Sequence, residues 1–378
     1  MNSKNHYSIF LIILIFLSSC IRDQIPPPES FPTISGKEDT TLVNRIDGYL
    51  IYEFNGTVVK SLPNLKERYL NDTYLFTDFY NPTFGSIDII NGVSGPDEEG
   101  NIVYFTSILY ENYTLMATTI DGKEPEVIFT RKGDSISDIG NDVALSPRGG
   151  YAAFVSNLQG IQTDMGYLQE GTLEIWDVIN KKKLDLNVKA LANGLAWFPD
   201  GKILAYTKLI SQEELKAIGI NIEDSIIQKK YLSSENITVV YVYDLSQKTD
   251  KFLSVGEDPV ISDDGKKFII FNGQYSYLFD IDTKESKMIN LPGRFYYYGS
   301  QHWSGPIAFI SPNLVLYRAV FTEGAKPQWT TGNSPLVGPK PLVTIKLTDL
   351  DTGQFQTIVE GIDPRHHVGY GNVKEGKI

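Results

Sequence analysis

Six times along this chain, a turn rich in proline, aspartate and glycine runs straight into a short apolar segment. The copies are Pro96-Asp97-Glu98-Glu99-Gly100 before Ile102 to Thr106, Ser146-Pro147-Arg148-Gly149-Gly150 before Tyr151 to Ser156, and Pro199-Asp200-Gly201 before Ile203 to Thr207. Ser262-Asp263-Asp264-Gly265 before Phe268 to Phe271 and Ser311-Pro312-Asn313 before Leu314 to Tyr317 continue the series, with Asp47-Gly48 before Tyr49 to Phe54 as a degenerate first copy. The anchors Gly48, Gly100, Gly150, Gly201, Gly265 and Asn313 are separated by 52, 50, 51, 64 and 48 residues. A period of this length means that each unit leaves an apolar face for its neighbour to cover, so the chain is an array of stacked units.

A second signal follows in each unit. Tyr113 to Gly122, Thr172 to Asn180, Ile237 to Ser246, Tyr275 to Thr283 and Leu342 to Gly353 alternate as strands do, then end in an aspartate, an aliphatic residue and a turn residue before another apolar segment. Strand, tight turn, strand is a hairpin. Each unit therefore supplies about four strands, the second of them apolar on both faces, as in a sheet sandwiched between neighbours. The expected fold class is all-β: a six-bladed β-propeller of four-stranded blades. Residues 61 to 95, with Tyr74 to Phe79, are the place where a seventh blade would fit, and a pair of β-sandwich domains is the competing architecture.

Trp197-Phe198-Pro199-Asp200-Gly201-Lys202-Ile203-Leu204-Ala205-Tyr206 resembles the W-S-P-D-G-x-x-I-A-F motif of TolB-like, or WD-like, β-propeller repeats, with Leu145-Ser146-Pro147 and Ile261 to Gly265 as weaker copies. The resemblance covers about residues 45 to 361. It implies the propeller fold and leaves function open, because such repeats serve as binding modules, peptidase filters and lyase scaffolds alike.

In such a blade the first-to-second and third-to-fourth turns share one face of the disc. The second-to-third connections and the links between blades share the other, and there the long excursions fall: Asn157 to Gly171, Lys208 to Asn236 and Val320 to Pro341. Ser211, followed by Glu214, is a capping box that predicts a short helix in the second excursion. The candidate binding face gathers Tyr296, Tyr297, Tyr298, His302 and Trp303 on one inter-blade link, Trp329 in the third excursion, and His366 and His367 after the last strand. Aromatic rings with one polar edge around a concave mouth suit a protein partner or the face of a sugar ring.

The N-terminus carries an address. A weakly basic stretch with Lys4 and His6 leads into an unbroken apolar run, Ile9 to Leu17, and ends in Leu17-Ser18-Ser19-Cys20. The run is about half of what a membrane-spanning helix needs and reads as a secretory signal. Leu-Ser-Ser-Cys resembles the bacterial lipobox, which implies cleavage before Cys20 and acylation of that residue, the one cysteine in the chain. Residues 1–19 are then the signal peptide, 20–42 the lipidated cysteine and a Pro26-Pro27-Pro28 tether, 43–370 the propeller and 371–378 a tail. Ile21 after the cysteine directs the protein toward the outer membrane.

Composition narrows the partners. With 46 Asp and Glu against 34 Lys and Arg, a net charge of −12 argues against nucleic acid. One cysteine excludes a disulfide framework, and G-x-S-x-G, H-E-x-x-H, Walker and dinucleotide fingerprints are all missing. His366 and His367 are adjacent, so on an extended strand they face opposite ways and make a poor metal pair. The expectation is therefore a lipid-anchored envelope propeller without metal, cofactor or catalytic residues, acting on an envelope protein or peptide. The alternative is a glycan-binding or lyase-like propeller using the same loop-rich face.

Overall fold

In the computed structural model, residues 37–53, 57–69, 88–108, 112–132, 139–163, 166–220, 235–272, 275–289, 305–311, 313–321, 342–362 and 368–374 are described. Strands β1 (Gly48–Glu53), β2 (Thr57–Leu62) and β3 (Glu67–Tyr69) open the first blade. Blade 2 is β4 (Asp88–Val93), β5 (Asn101–Ile108), β6 (Asn112–Thr119) and β7 (Glu126–Lys132). Blade 3 is β8 (Ile139–Leu145), β9 (Tyr151–Thr163), β10 (Gly166–Asp177) and β11 (Lys182–Lys183), with β12 (Lys189–Leu191) also paired to β10. Blade 4 is β13 (Leu195–Trp197), β14 (Ile203–Ser211), β15 (Asn236–Asp244) and β16 (Thr249–Val255). Blade 5 is β17 (Glu257–Ile261), β18 (Lys267–Asn272), β19 (Tyr275–Asp280) and β20 (Ser286–Ile289). Blade 6 is β21 (Gly305–Ser311), β22 (Leu314–Phe321), β23 (Leu342–Asp349) and β24 (Phe355–Ile362). The last strand, β25 (Val368–Gly371), returns to pair with β1 and completes blade 1 in the order β25-β1-β2-β3.

Six blades close the ring. Inner strands touch in the sequence β4, β8, β13, β17, β21, β25, and β25 lies against the Ser94–Pro96 backbone just after β4. No gap is left for a seventh blade.

The second strands are the reason the array stacks. Ile102, Val103 and Phe105 on β5, Ala152 to Val155 on β9 and Leu204 to Tyr206 on β14 are fully buried. Successive side chains leave opposite faces of a strand, so Ala152 and Phe154 enter the seam with blade 2 while Ala153 and Val155 enter the seam with blade 4. The core is accordingly divided into six apolar clusters, one per seam. Each buried aliphatic or aromatic side chain contributes about 1.5–3 kcal/mol relative to exposure.

The proline-glycine turns do more than reverse the chain. Gly149 has φ +72°, and a Cβ there would lie 2.1 Å from Oδ2 of Asp97 in the turn of blade 2. Gly201 faces Ser146 and Gly265 faces Pro199, so the turns of blades 3, 4 and 5 each pack on the turn of the preceding blade. The left-handed anchor of blade 3 is thus Gly149, one residue before Gly150, whose Cβ position is open. Asp200 and Asp264 cap their turns by accepting the backbone N–H of Lys202 and Lys266. Asp244, Asp280 and Asp349 do the same in the third-to-fourth turns. These acids are turn chemistry, as their positions in the sequence implied.

Two features depart from the sequence reading. Gly48 does not follow a hairpin, because its inner neighbour strand comes from the C-terminus. The Asn157 to Gly171 excursion is no loose loop: β9 and β10 stay paired from Thr163 and Gly166 inward, with a bulge between Glu170 and Thr172. Gly171 permits that bulge, since a Cβ would meet the Ser156 carbonyl at 2.3 Å.

Candidate functional site

The strand order puts the hairpin tip of β9 and β10, the helix α1 (Gln212–Ala217) and the ends of the blade links on one face of the disc. The helix forms as its capping box requires: Ser211 Oγ accepts the Glu214 N–H, and the Glu214 carboxylate accepts the Ser211 N–H. Leu215 is fully buried and anchors the helix to the seam of blades 4 and 5, with Ile220 packed beside it. Ile218 remains 46% exposed.

On this face, blades 3 to 5 bring charged and aromatic groups together. Lys208 Nζ lies 5.0 Å from the centre of the Tyr241 ring, a cation–π distance. Glu170, at the β10 bulge, has its pKa raised by burial against the opposing charges of Lys189 and Lys208. Asp258 sits at the end of β17 with φ +51°, donating its N–H to Thr207 Oγ1. Inner strands β8 and β17 are bulged at their ends on this face, between Ile139 and Val143 and between Glu257 and Val260, a device that re-aims side chains at the rim of a ring. Such a surface can hold a polar or peptide-like ligand. Among the described residues, no three histidine, cysteine or acidic side chains converge as metal ligands.

A second charged group is buried away from that face. Glu174 on β10 is fully buried at the seam of blades 2 and 3. Its carboxylate accepts from Arg131 Nη2 at 2.8 Å, Ser156 Oγ at 2.6 Å and Trp176 Nε1 at 3.0 Å, and Lys183 Nζ lies 3.1 Å away. Burial pushes the Glu174 pKa up, but the hydrogen bonds from Ser156, Trp176 and Arg131 and the charge of Arg131 outweigh it and hold it below the usual carboxylate range. Trp176 stacks on Phe129 at 4.0 Å, and Arg131 lies 5.4 Å from the Tyr113 ring centre. Every oxygen is engaged within the seam, so this is a joint between blades rather than a reactive centre. The Trp176-Asp177 pair belongs to this joint and to the Asp177 turn cap on Asn180.

The sequence-derived candidates Cys20, Tyr296, Tyr297, Tyr298, His302, Trp303, Trp329, His366 and His367 lie outside the described residues. Sequence reasoning passed over Glu170, Lys189, Lys208 and Glu174. For Glu174 a signal existed: an acid in the middle of Thr172-Leu173-Glu174-Ile175-Trp176, on a strand covered on both faces. Its partner Arg131 is 43 residues upstream, beyond the reach of any local pattern.

No protein-family model matches the sequence, and comparison with curated proteins finds no significant relative. Solved structures are similar. TolB from Acinetobacter baumannii superposes with a TM-score of 0.53 at 14% identity, covering 86% of this chain and 67% of that one. The chain has the TolB-like propeller fold. A putative TolB from Agrobacterium tumefaciens (TM-score 0.48, 13% identity, 86% of this chain and 98% of that one) and an oligogalacturonate lyase from Vibrio parahaemolyticus (0.44, 12%, 75% and 72%) are more distant. At these identities the likeness speaks for the architecture, which hosts several functions.

Proposed function

We propose that this protein is a lipid-anchored propeller of the bacterial cell envelope that works as a non-catalytic scaffold for a protein or peptide partner. The observation that carries the reading is the asymmetry of the disc. One face consists of short, self-capped turns, while the excursions, the bulges of β8 and β17 and the Glu170, Lys189, Lys208 and Tyr241 group belong to the other. A rigid ring with elaborated loops on one side is the usual construction of a binding surface. In this reading Cys20 is acylated, Pro26 to Pro28 belong to a semi-extended tether, and residues 296–303, 329 and 366–367 add aromatic and imidazole groups to the same face. Several acyl chains at about 0.8 kcal/mol per buried methylene hold a protein at a membrane where one would not.

A photo-crosslinking residue placed at Lys208 or Tyr297 should trap one discrete envelope adduct in cells, and the same residue at Lys248 on the turn face should trap none. Equal adducts from both faces, or none from either, would contradict the scaffold reading. The second reading, a glycan binder or lyase, is motivated by Tyr296 to Trp303 with Trp329 and the histidines. It requires sugar binding on a glycan array or stoichiometric metal in the purified protein, and absence of both removes it.

A further inference from the structure

Blade 1 differs from the other five in one respect: no turn joins its inner strand to its second strand. β25 and β1 meet only through the register Tyr49–Gly371 to Tyr52–Val368. The ring can therefore part between them without breaking any hairpin. The segment just before β1 ties the β1 side of that interface to blade 6. Glu38 bridges Phe355 on β24 in parallel, and the Asp39 N–H donates to the Phe355 carbonyl at 2.8 Å. Just ahead of the 3-10 turn Leu42–Arg45, the Asp39 carboxylate accepts the Thr41 N–H. Leu42, Val43 and Ile46 are buried in the apolar cluster shared by blades 6 and 1, beside Leu50 and Val58 on one side and Leu316, Ile345 and Ile358 on the other. The Val43 N–H donates to Gln356 Oε1 at 2.7 Å, in a buried position, and Arg45 pairs with Asp349 at 2.5 Å.

We infer that residues 39–46 are a latch: they bind β1 to blade 6 from the rim and thereby hold shut the β25–β1 interface, which is the place where this ring opens. Three observations meet in this assignment. The interface is short and has no covalent turn. The latch is continuous with β1 through Asp47 yet makes its polar contacts to blade 6. The inner side of the interface is braced separately, with Gly369 and Gly371 letting the β25 backbone lie directly on Ser94 to Pro96 and with the Lys374 N–H donating to the Glu98 carbonyl beyond it. Release of the latch therefore frees β1 to β3 while β25 stays with blades 6 and 2. The inference does not depend on acylation of Cys20, although in an anchored protein any pull on the tether would reach the propeller first through this segment.

Amide hydrogen exchange of the full chain in detergent tests it, because exchange reports local opening strand by strand. In a Leu42→Ala/Val43→Ala variant, exchange of the β1 and β25 amides should rise at least about tenfold together, with β9, β14 and β18 unchanged. Leu115→Ala in the core of blade 2 serves as the control and should loosen blades 2 and 3 instead. Should the double variant not fold, Arg45→Ala/Gln356→Leu gives the same readout with a smaller rise. Loosening of β24 alone, with β1 and β25 as protected as in the wild type, would overturn the latch, as would an equal rise in all six blades.

Discussion

Blade 3 takes its strands from one continuous stretch, 139 to 191, and joins blade 2 through a carboxylate with five-fold support from Arg131, Ser156, Trp176 and Lys183. Blade 1 draws its inner strand from residues 368 to 371 and its outer three from 48 to 69, and its seam with blade 6 is filled by Leu42, Val43 and Ile46 from a third segment. The first seam is specified by a buried ion, the second by apolar side chains on a strap that ends in an ion pair between half-exposed Arg45 and buried Asp349. A buried ion, once paired, tolerates no loss of its partner; a strap can leave and return. The two seams should therefore fail in different ways.

The largest effect belongs to the ionic seam. Glu174→Ala leaves Arg131 and Lys183 without their carboxylate and should cost about 3 kcal/mol or more in urea unfolding; a loss below about 1 kcal/mol would mean that the network only decorates the seam. The pH dependence has a definite sign. The folded pKa of Glu174 lies below its unfolded value, so its stabilisation is fully present above the unfolded value, about 4.3, and is lost as pH falls through the folded value. Glu174→Gln should flatten the acid limb of the stability curve in that window.

Next comes the interlocked turn that supports the same blade. Gly149→Ala forces a side chain into a left-handed position and against Asp97, and should cost about 2 kcal/mol. Gly150→Ala, with open space around it, should stay within about 0.5 kcal/mol. Equal effects at the two positions would show that turn-on-turn packing is unimportant.

A smaller contrast compares blades 4 and 6 at equivalent positions of their second strands. Tyr206 donates to Asp250 at 3.1 Å, whereas the buried Tyr317 hydroxyl has no partner among the described residues. Tyr206→Phe should lose about 1 kcal/mol, and Tyr317→Phe should be neutral or stabilising. The smallest effect is at the strap: Arg45 is half exposed, so Arg45→Ala should cost less than about 1 kcal/mol in thermal unfolding.

The same contrast explains what could be read from the sequence. Trp197 to Tyr206 was legible because a left-handed turn and a doubly buried strand are local signals, and even Trp197 has one job, donating Nε1–H to the Ala144 carbonyl of the neighbouring blade. Ser211 and Glu214 were legible for the same reason. Val368-Gly369-Tyr370-Gly371 has little strand propensity, and its glycines serve a backbone approach to Ser94 to Pro96 across more than 270 residues; no pattern within the segment reports that. In sequence the Leu42 to Ile46 strap straddles the boundary between tether and propeller, and it becomes core through blade 6. The aromatic and histidine candidates rest on residues outside those described, so the candidate face stands on Glu170, Lys189, Lys208 and Tyr241.

The central claim is that this ring is held at a membrane by Cys20. Cells expressing the full chain and its Cys20→Ser variant, grown with labelled palmitate and then fractionated, test it directly. The account predicts a labelled protein in the membrane fraction that loses both its label and its membrane association on substitution. Equal labelling of the two, or an unlabelled wild-type protein recovered wholly in the soluble fraction, would contradict it.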